Sequence, residues 1–287
     1  MNRHVLIGDA YEIMSEMAPQ SVDCIVTSPP YYGLRTYLPE DHHDAGMEIG
    51  REPTVDDYVL RLARTLGVAC KRVLRDSGTL WLNIGDVMES GSLAMIPWKI
   101  AERMKSHGWC LRSAAPWIKR SPMPESARNR PSNGLEYVFM FTKVASGYYY
   151  DIDAVRKPVA ATTLARDKYT RITAGKDGPY AVRHDHETPS NPKGRNRRNT
   201  DWWVETVDDE IVGYDCSAKA FRGQHFAVMP SGLIEPCILA GCPAGGVVLD
   251  PFCGSGTVLA VAEKLGRTAI GIDINEQFVG LAQERVA

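Results

Sequence analysis

The 287-residue sequence predicts an α/β protein with a small inserted domain. Three observations predict it. Apolar runs of strand length alternate with stretches of helical periodicity toward both ends of the chain. The run Gly246-Val247-Val248-Leu249 enters a glycine-containing turn, opens a helix and leads to a strand ending in Asp273, which makes a β-α-β unit. Between these parts, residues 151–224 are polar and basic, with few periodic apolar positions, and are punctuated by Gly175, Gly178, Pro179, Pro189, Pro192 and Gly194. The expected boundaries are therefore 1–150, 151–224 and 225–287.

In order, residues 4–8 read as a strand, with Asp9-Ala10 at its carboxyl end. A short helix through Ile13 and Met17 leads to a buried strand, Val22-Asp23-Cys24-Ile25-Val26. Residues 33–53 read as a loop, of a length that is uncommon unless the loop has a job. Residues 54–75 are the clearest helix: Thr54 caps it, Asp56 and Asp57 lie in its first turn, and Val59, Leu62, Ala63, Leu66, Val73 and Leu74 fall near one face. A strand over 79–84, a helix over about 94–106 closing at Gly108, and strands over 109–119 and 136–142 follow. A helix near 231–240 precedes the β-α-β unit, and an amphipathic helix using Phe278, Leu281 and Ala282 ends the pattern.

The strand before Thr27 is cut off by Ser28-Pro29-Pro30-Tyr31. Neither proline can donate a backbone hydrogen bond, and the first holds Ser28 extended. The result is a stiff turn offering carbonyls, a hydroxyl and an aromatic ring at a strand's carboxyl end, where open α/β sheets bind ligands. Such a group suits the exocyclic amine of a nucleobase, whose lone pair is delocalised into the ring. Acceptors on its two hydrogens, the Ser28 hydroxyl and the Pro29 carbonyl, draw it toward a reactive tetrahedral shape, and Tyr31 can stack on the base. The plainer alternative is a strand-ending turn with a packed tyrosine.

Composition is that of a globular protein, 44% hydrophobic and 24% charged, with no apolar run near the roughly 20 residues of a membrane span. Nothing at the amino end resembles a signal peptide. Seven scattered cysteines without a Cys-x-x-Cys pair point to a reducing compartment. His42-His43 and His184-x-His186 read as loop residues rather than ligands, so no metal is expected. Net charge is −2, yet residues 156–198 hold eleven Lys/Arg against four Asp/Glu, and residues 112–130 five against one. That is a basic face on a near-neutral protein, or else a solvated loop.

The second strand-to-helix turn is Asp250-Pro251-Phe252-Cys253-Gly254-Ser255-Gly256-Thr257. A glycine turn lets a cofactor approach the backbone, and Asp273 at the next strand's end can accept from both hydroxyls of a ribose. Leu259 stands where a dinucleotide fingerprint needs its third glycine, and no Gly-x-x-x-x-Gly-Lys loop occurs, so the turn suits a nucleoside without a pyrophosphate.

Together the two turns carry a resemblance. Thr27-Ser-Pro-Pro-Tyr31 resembles the catalytic motif of the DNA amino-methyltransferases, which act on cytosine N4 or adenine N6, and Asp250 to Thr257 resembles their S-adenosylmethionine (AdoMet) motif. With the catalytic motif first and a variable region between, the order resembles the beta class, a circular permutation of the Rossmann-like methyltransferase fold. The resemblance covers residues 1–150 and 222–287. It implies a catalytic half, a target-recognition insertion over 151–224 and an AdoMet half. By position it implies that Ser28, Pro29, Pro30 and Tyr31 are catalytic. Phe252, Gly254, Ser255, Gly256 and Thr257 would hold the methionine part of AdoMet, Asp273 the ribose, and Ile274 would flank the adenine. Asp9 and Ala10 would meet the adenine edge, and Phe226 and Pro230 would line the methionine side. Asp250 would contact the sulfonium region or fix the loop.

The implied reaction is direct methyl transfer to the amine of a flipped base in double-stranded DNA. Serine at position 28 is commoner in the cytosine-N4 enzymes, where adenine enzymes usually carry Asp, so cytosine N4 is expected and adenine N6 is the alternative. Rival readings are an RNA or protein methyltransferase and a non-catalytic DNA-binding module. Arg195, Arg197 and Arg198 are the candidate DNA contacts. Cys237, after Pro236, superficially resembles the nucleophile of cytosine-C5 enzymes but falls inside a predicted helix and reads as core. A homodimer and a cognate restriction endonuclease are partners the resemblance admits, in the cytoplasm of a bacterial cell or a phage-infected host.

Overall fold

The computed structural model describes residues 4–119, 126–155, 205–207, 210–215 and 229–286. The chain divides into one unit of Met1–Asp151 with Trp203–Ala287, and a second of Ile152–Trp202. The main unit begins with β1 (His4–Ile7), α1 (Ala10–Glu16) and β2 (Val22–Thr27). α2 (Val55–Arg64) runs through a π-helical segment, Thr65–Cys70, into α3 (Lys71–Val73). Then come β3 (Leu74–Gly85), a hairpin of β4 (Met88–Glu89) and β5 (Ser92–Leu93), α4 (Ile96–Ser106), β6 (Cys110–Ile118) and β7 (Leu135–Thr142). Only α5 (Ile152–Val155) is described of the second unit. β8 (Glu205–Val207) and β9 (Glu210–Asp215) return to the sheet, followed by α6 (Ser231–Gly241), β10 (Val247–Asp250), α7 (Thr257–Lys264), β11 (Thr268–Asp273) and α8 (Glu276–Arg285).

Among the described residues the sheet runs β1-β11-β10-β2-β3-β7-β6-β9-β8. The first five strands are parallel; β7 pairs antiparallel with β3 and β6, β6 pairs in parallel with β9, and β9 pairs antiparallel with β8. From β10 the chain moves to β11 on one side, and from β2 to β3 on the other. The carboxyl ends of β10 and β2 thus flank a topological switch point, where a crevice forms in open α/β sheets.

Alternation along β3 places the sheet between two helical layers. Leu80, Leu82 and Ile84 join Tyr58, Leu62 and Leu66 and the α4 residues Ile100 and Met104 in one buried core. On the other face the Trp81 indole donates to Thr79 Oγ1, whose hydroxyl donates to the Gly241 carbonyl of α6. The two β3 faces therefore meet different helices, as a strand buried on both sides requires.

Three local expectations need correction. The helix expected over 54–75 is α-helical to Arg64, π-helical over Thr65–Cys70 and α-helical again over Lys71–Val73. In the wider π turn the Gly67 carbonyl accepts from Trp109 Nε1 at 3.1 Å, a tertiary bond that anchors this segment. The strand expected over 79–84 begins at Leu74, because Val22 pairs Leu74 and Cys24 pairs Thr79, with the extra residues bulged outward. Third, residues 205–215 lie within the segment expected to be loop-rich, yet β9 pairs in parallel with β6 at Trp117↔Tyr214. β8 is only three residues long, and β9, Glu210–Asp215, has a carboxylate at each end and a glycine within it, so neither shows the apolar run that marks β2 and β10.

Candidate active site

β2 ends at Thr27, and Ser28 to Tyr31 form the turn beyond it. Tyr58 of α2 donates its hydroxyl to the Pro30 carbonyl at 2.8 Å, which pins the proline turn to the helix. Burial pushes the Tyr31 phenol well above its ordinary range, the Glu136 charge adds to this, and a hydrogen bond with Ser28 opposes it. Tyr31 therefore keeps its proton and donates it to Glu136 Oε2 at 2.7 Å. The ring expected to stack on a base is thus held by its hydroxyl from beneath.

Sequence reasoning missed the residues that hold this turn. Asn83, near the end of β3, donates through Nδ2 to Glu136 Oε2 at 2.8 Å and to Tyr31 Oη at 3.0 Å, and reaches Ser28 Oγ at 3.4 Å. Glu136 enters from β7 and pairs through its other oxygen with Lys119. Asn83 and Glu136 are 2% and 6% exposed, so they form a buried polar network rather than a surface cluster. Their signal was a polar residue within each of two apolar strand runs, Leu80–Ile84 and Leu135–Phe141.

At the neighbouring strand ends lies the second turn. Asp250 closes β10, is 4% exposed, and accepts from Thr27 Oγ1 at 2.7 Å and from Phe252 N at 3.1 Å. Burial pushes its carboxyl up to about 7 against these two bonds. Asp273 closes β11. Its Oδ2 accepts from Gly254 N at 2.8 Å and its Oδ1 from Asn275 N at 2.9 Å. Burial still outweighs these donors and raises it to about 6. Each carboxylate oxygen keeps acceptor capacity beyond one amide.

Gly254 and Gly256 have φ of 49° and 77°, in the left-handed region that favours glycine. A Cβ on Gly256 would lie 2.9 Å from Ala282 Cα and Cβ, so the turn is pressed against α8. Ser255 and Thr257 face the same way by a device the sequence hid: Arg285 of α8 donates to Ser255 Oγ at 3.1 Å and to Thr257 Oγ1 at 2.7 Å. Phe252 packs against the main core. Asp9 caps α1 by accepting from Glu12 N at 3.0 Å, Ala10 is buried beside it, and Gly8 N donates to the Asp273 carbonyl. Ile274 follows Asp273, and Pro230 precedes α6 as its capping position. Phe226, Arg195, Arg197 and Arg198 lie outside the described residues. Cys237 is buried in α6, its thiol pushed up by burial and donating to the Leu233 carbonyl, so it is a core residue.

The ends of β1, β11, β10, β2 and β3 are successive, so Asp9, Asp273, Asp250, Ser28 and Asn83 lie along one rim. At about 4.8 Å per strand, Asp273 and Ser28 are roughly 10 Å apart across it. A cofactor with a ribose at one end and a transferable group at the other fits that spacing. The tight turn from Phe252 to Thr257, whose two glycines carry no side chain, fits the same ligand. The loop over 33–53 bridges this rim, because Asn275 Nδ2 donates to the Tyr37 carbonyl at 2.6 Å and buried Glu48 accepts from Tyr37 N and Leu38 N.

The chain matches known proteins along nearly its full length. Residues 22–284 match the DNA methylase family of the N6/N4 type. It is 33% identical to the Type II methyltransferase M.SmaI of Serratia marcescens, over 98% of this chain and 90% of that protein. It is 36% identical to the Type II methyltransferase M.Cfr9I of Citrobacter freundii, over 97% and 86%. In fold it is similar to the Thermus thermophilus protein TTHA0409 in its complex with S-adenosyl-L-methionine, with a TM-score of 0.61, 23% identity and coverage of 100% and 93%. It is likewise similar to the PvuII DNA methyltransferase (cytosine-N4-specific), with a TM-score of 0.62, 18% identity and coverage of 100% and 87%. The chain belongs to the N6/N4 DNA methylase family and is an AdoMet-dependent DNA methyltransferase.

Proposed function

We propose that the protein is a Type II modification methyltransferase that methylates cytosine at N4 in duplex DNA, with the target base turned out of the helix. AdoMet supplies an electrophilic methyl group on a sulfonium. The chain's own residues bind and orient. Asp273 holds the ribose hydroxyls, Asp9-Ala10 and Ile274 border the adenine, and the turn from Phe252 to Thr257, with Asp250, Phe226 and Pro230, lines the methionine side. Ser28 Oγ and the Pro29 carbonyl accept from the amine hydrogens, and Tyr31 and Pro30 fix that turn. Catalysis is then positioning and polarisation.

The observation that carries the reading is the neutral hydroxyl of Ser28 at the strand end beside Asp250. The network behind it already holds one buried carboxylate, Glu136, two hydrogen bonds from Ser28. An aspartate at 28 would add a second charge there, at the cost of like-charge repulsion. The resemblance assigns serine at this position more often to cytosine enzymes. Supporting the wider reading, the named relatives are Type II methyltransferases.

In the same reading the chain is a circularly permuted methyltransferase, with 1–150 as the catalytic half, 151–224 as the target-recognition insertion and 225–287 as the AdoMet half. Arg195, Arg197 and Arg198 of the insertion meet phosphates. Expression in a host free of DNA methylation, followed by single-molecule sequencing of its genome, tests this. A single short motif with modified cytosines is the expected result, and modified adenines would overturn it.

A further inference from the structure

A hydroxyl is held as an acceptor toward an amine when its own proton is committed elsewhere, since otherwise the O–H rotor is free to turn toward it. Ser28 has such a place. Its oxygen and the Tyr31 oxygen lie 3.4 and 3.0 Å from the same amide nitrogen, Asn83 Nδ2, which sets the two hydroxyls side by side. Two hydroxyls in series can run in either direction, and the group at the end decides which.

That end is Glu136. Its Oε2 accepts from Tyr31 Oη at 2.7 Å and from Asn83 Nδ2 at 2.8 Å, while Lys119 covers Oε1. Asn83 Nδ2 and Lys119 can only donate, so neither can take the Tyr31 proton. With the Tyr31 proton donated to Glu136, the Tyr31 oxygen is left to accept, and the Ser28 proton has an acceptor that points away from the base. If Tyr31 donated to Ser28 instead, Ser28 would turn its proton toward the amine, which is a donor itself. One further atom fits this picture. Asn83 Oδ1 is buried without a partner at the same turn, and a buried open acceptor fits a ligand that arrives carrying N–H groups.

We propose that Glu136, which lies on β7 and does not touch the base, is a positioning residue that sets the direction of the Ser28–Tyr31 hydrogen-bond chain and so holds Ser28 as an acceptor. It acts on the methyl-transfer step and leaves cofactor binding alone. The proposal rests on the reading of Ser28 as the amine acceptor and holds for either amine base.

A double-mutant cycle tests it, with single-turnover methyl transfer to DNA, AdoMet affinity by calorimetry and melting temperature measured on each variant. Glu136→Gln should slow single-turnover transfer by roughly 10–100-fold, the range seen when a group that orients a primary ligand is lost. AdoMet affinity should match the parent. In a Ser28→Ala background Glu136→Gln should cost nothing more, because the chain it directs has lost its end. Tyr31→Phe removes the middle hydroxyl without touching the ion pair. It should reproduce the loss and be non-additive with Ser28→Ala, and it carries the test if Glu136→Gln does not fold. Losses that multiply, or parent rates in both variants while Ser28→Ala is slow, would overturn the proposal alone. A fast Ser28→Ala would overturn the acceptor reading and the proposal with it.

Discussion

Thr27 Oγ1 donates to Asp250 Oδ1 across a 2.7 Å bond between residues 223 apart in the chain. It joins the last residue of β2 to the last residue of β10, so the turn that begins at Ser28 and the turn that begins at Pro251 are set from one hydrogen bond. Because both groups are buried, the bond also offsets part of the desolvation of Asp250.

Replacing Thr27 by Val keeps the shape and removes that donor. A buried acceptor left short of a partner costs about 1–3 kcal/mol. The cost should depend on pH. Asp250, raised to about 7, holds its proton in the native state between its ordinary range near 4 and about 7, so native protein binds more protons there and stability falls as pH rises through that window. Thr27→Val raises Asp250 further and extends the fall to higher pH. Denaturant unfolding at pH 6 and pH 8 should find the larger loss at pH 8, and an equal loss at both would refute the coupling.

AdoMet affinity should weaken as pH drops below about 6. Asp273 is raised to about 6 in the free protein, and its charged form is the better acceptor for ribose hydroxyls, so protonation competes with binding. Isothermal calorimetry across pH 5–8 reads this directly. Asp273→Ala should lose roughly 1.5–3 kcal/mol per hydrogen bond and raise KM more than it lowers kcat. Parent affinity in that variant would remove Asp273 from the site.

Gly256→Ala places a methyl group 2.9 Å from Ala282 Cα and Cβ, on a residue with φ of 77°. Strain in a left-handed position costs of order 1–3 kcal/mol, and the clash is with backbone that cannot swing aside. Thermal melting should find a lower Tm together with weaker AdoMet binding, since α7 begins at this turn. A variant as stable as the parent would mean that α8 shifts freely.

Replacing Arg195, Arg197 and Arg198 together by Ala should weaken duplex binding and flatten its salt dependence, by a slope of about 0.9 for each phosphate no longer neutralised. AdoMet affinity should not change. A parent salt slope in the triple variant would leave the arginines as solvated charges.

What the sequence displayed, and what it hid, follows from how each feature is encoded. β10, its glycine turn, α7 and β11 are contiguous in sequence, so their pattern is local and legible, and Asp273 falls where the pattern puts it. Ser28 to Tyr31 are legible because two prolines leave the chain little choice. Asn83, Glu136, Lys119 and Arg285 each meet their partners across long stretches of chain, and each stands alone in a run that otherwise reads as ordinary strand or helix. The partners of a buried polar residue are fixed by sheet order, and the order β2-β3-β7 is a tertiary fact. The π segment at Thr65–Cys70 was hidden likewise, because its carbonyl partner is Trp109.

The most direct test of the central claim is mass spectrometry of the nucleosides from duplex DNA modified by the purified enzyme with AdoMet. Ser28, held as a neutral acceptor before Pro29, leads to N4-methylcytosine as the modified nucleoside, with Ser28→Ala lowering kcat by roughly 10²–10³ and AdoMet binding intact. N6-methyladenine with no N4-methylcytosine would contradict the assignment.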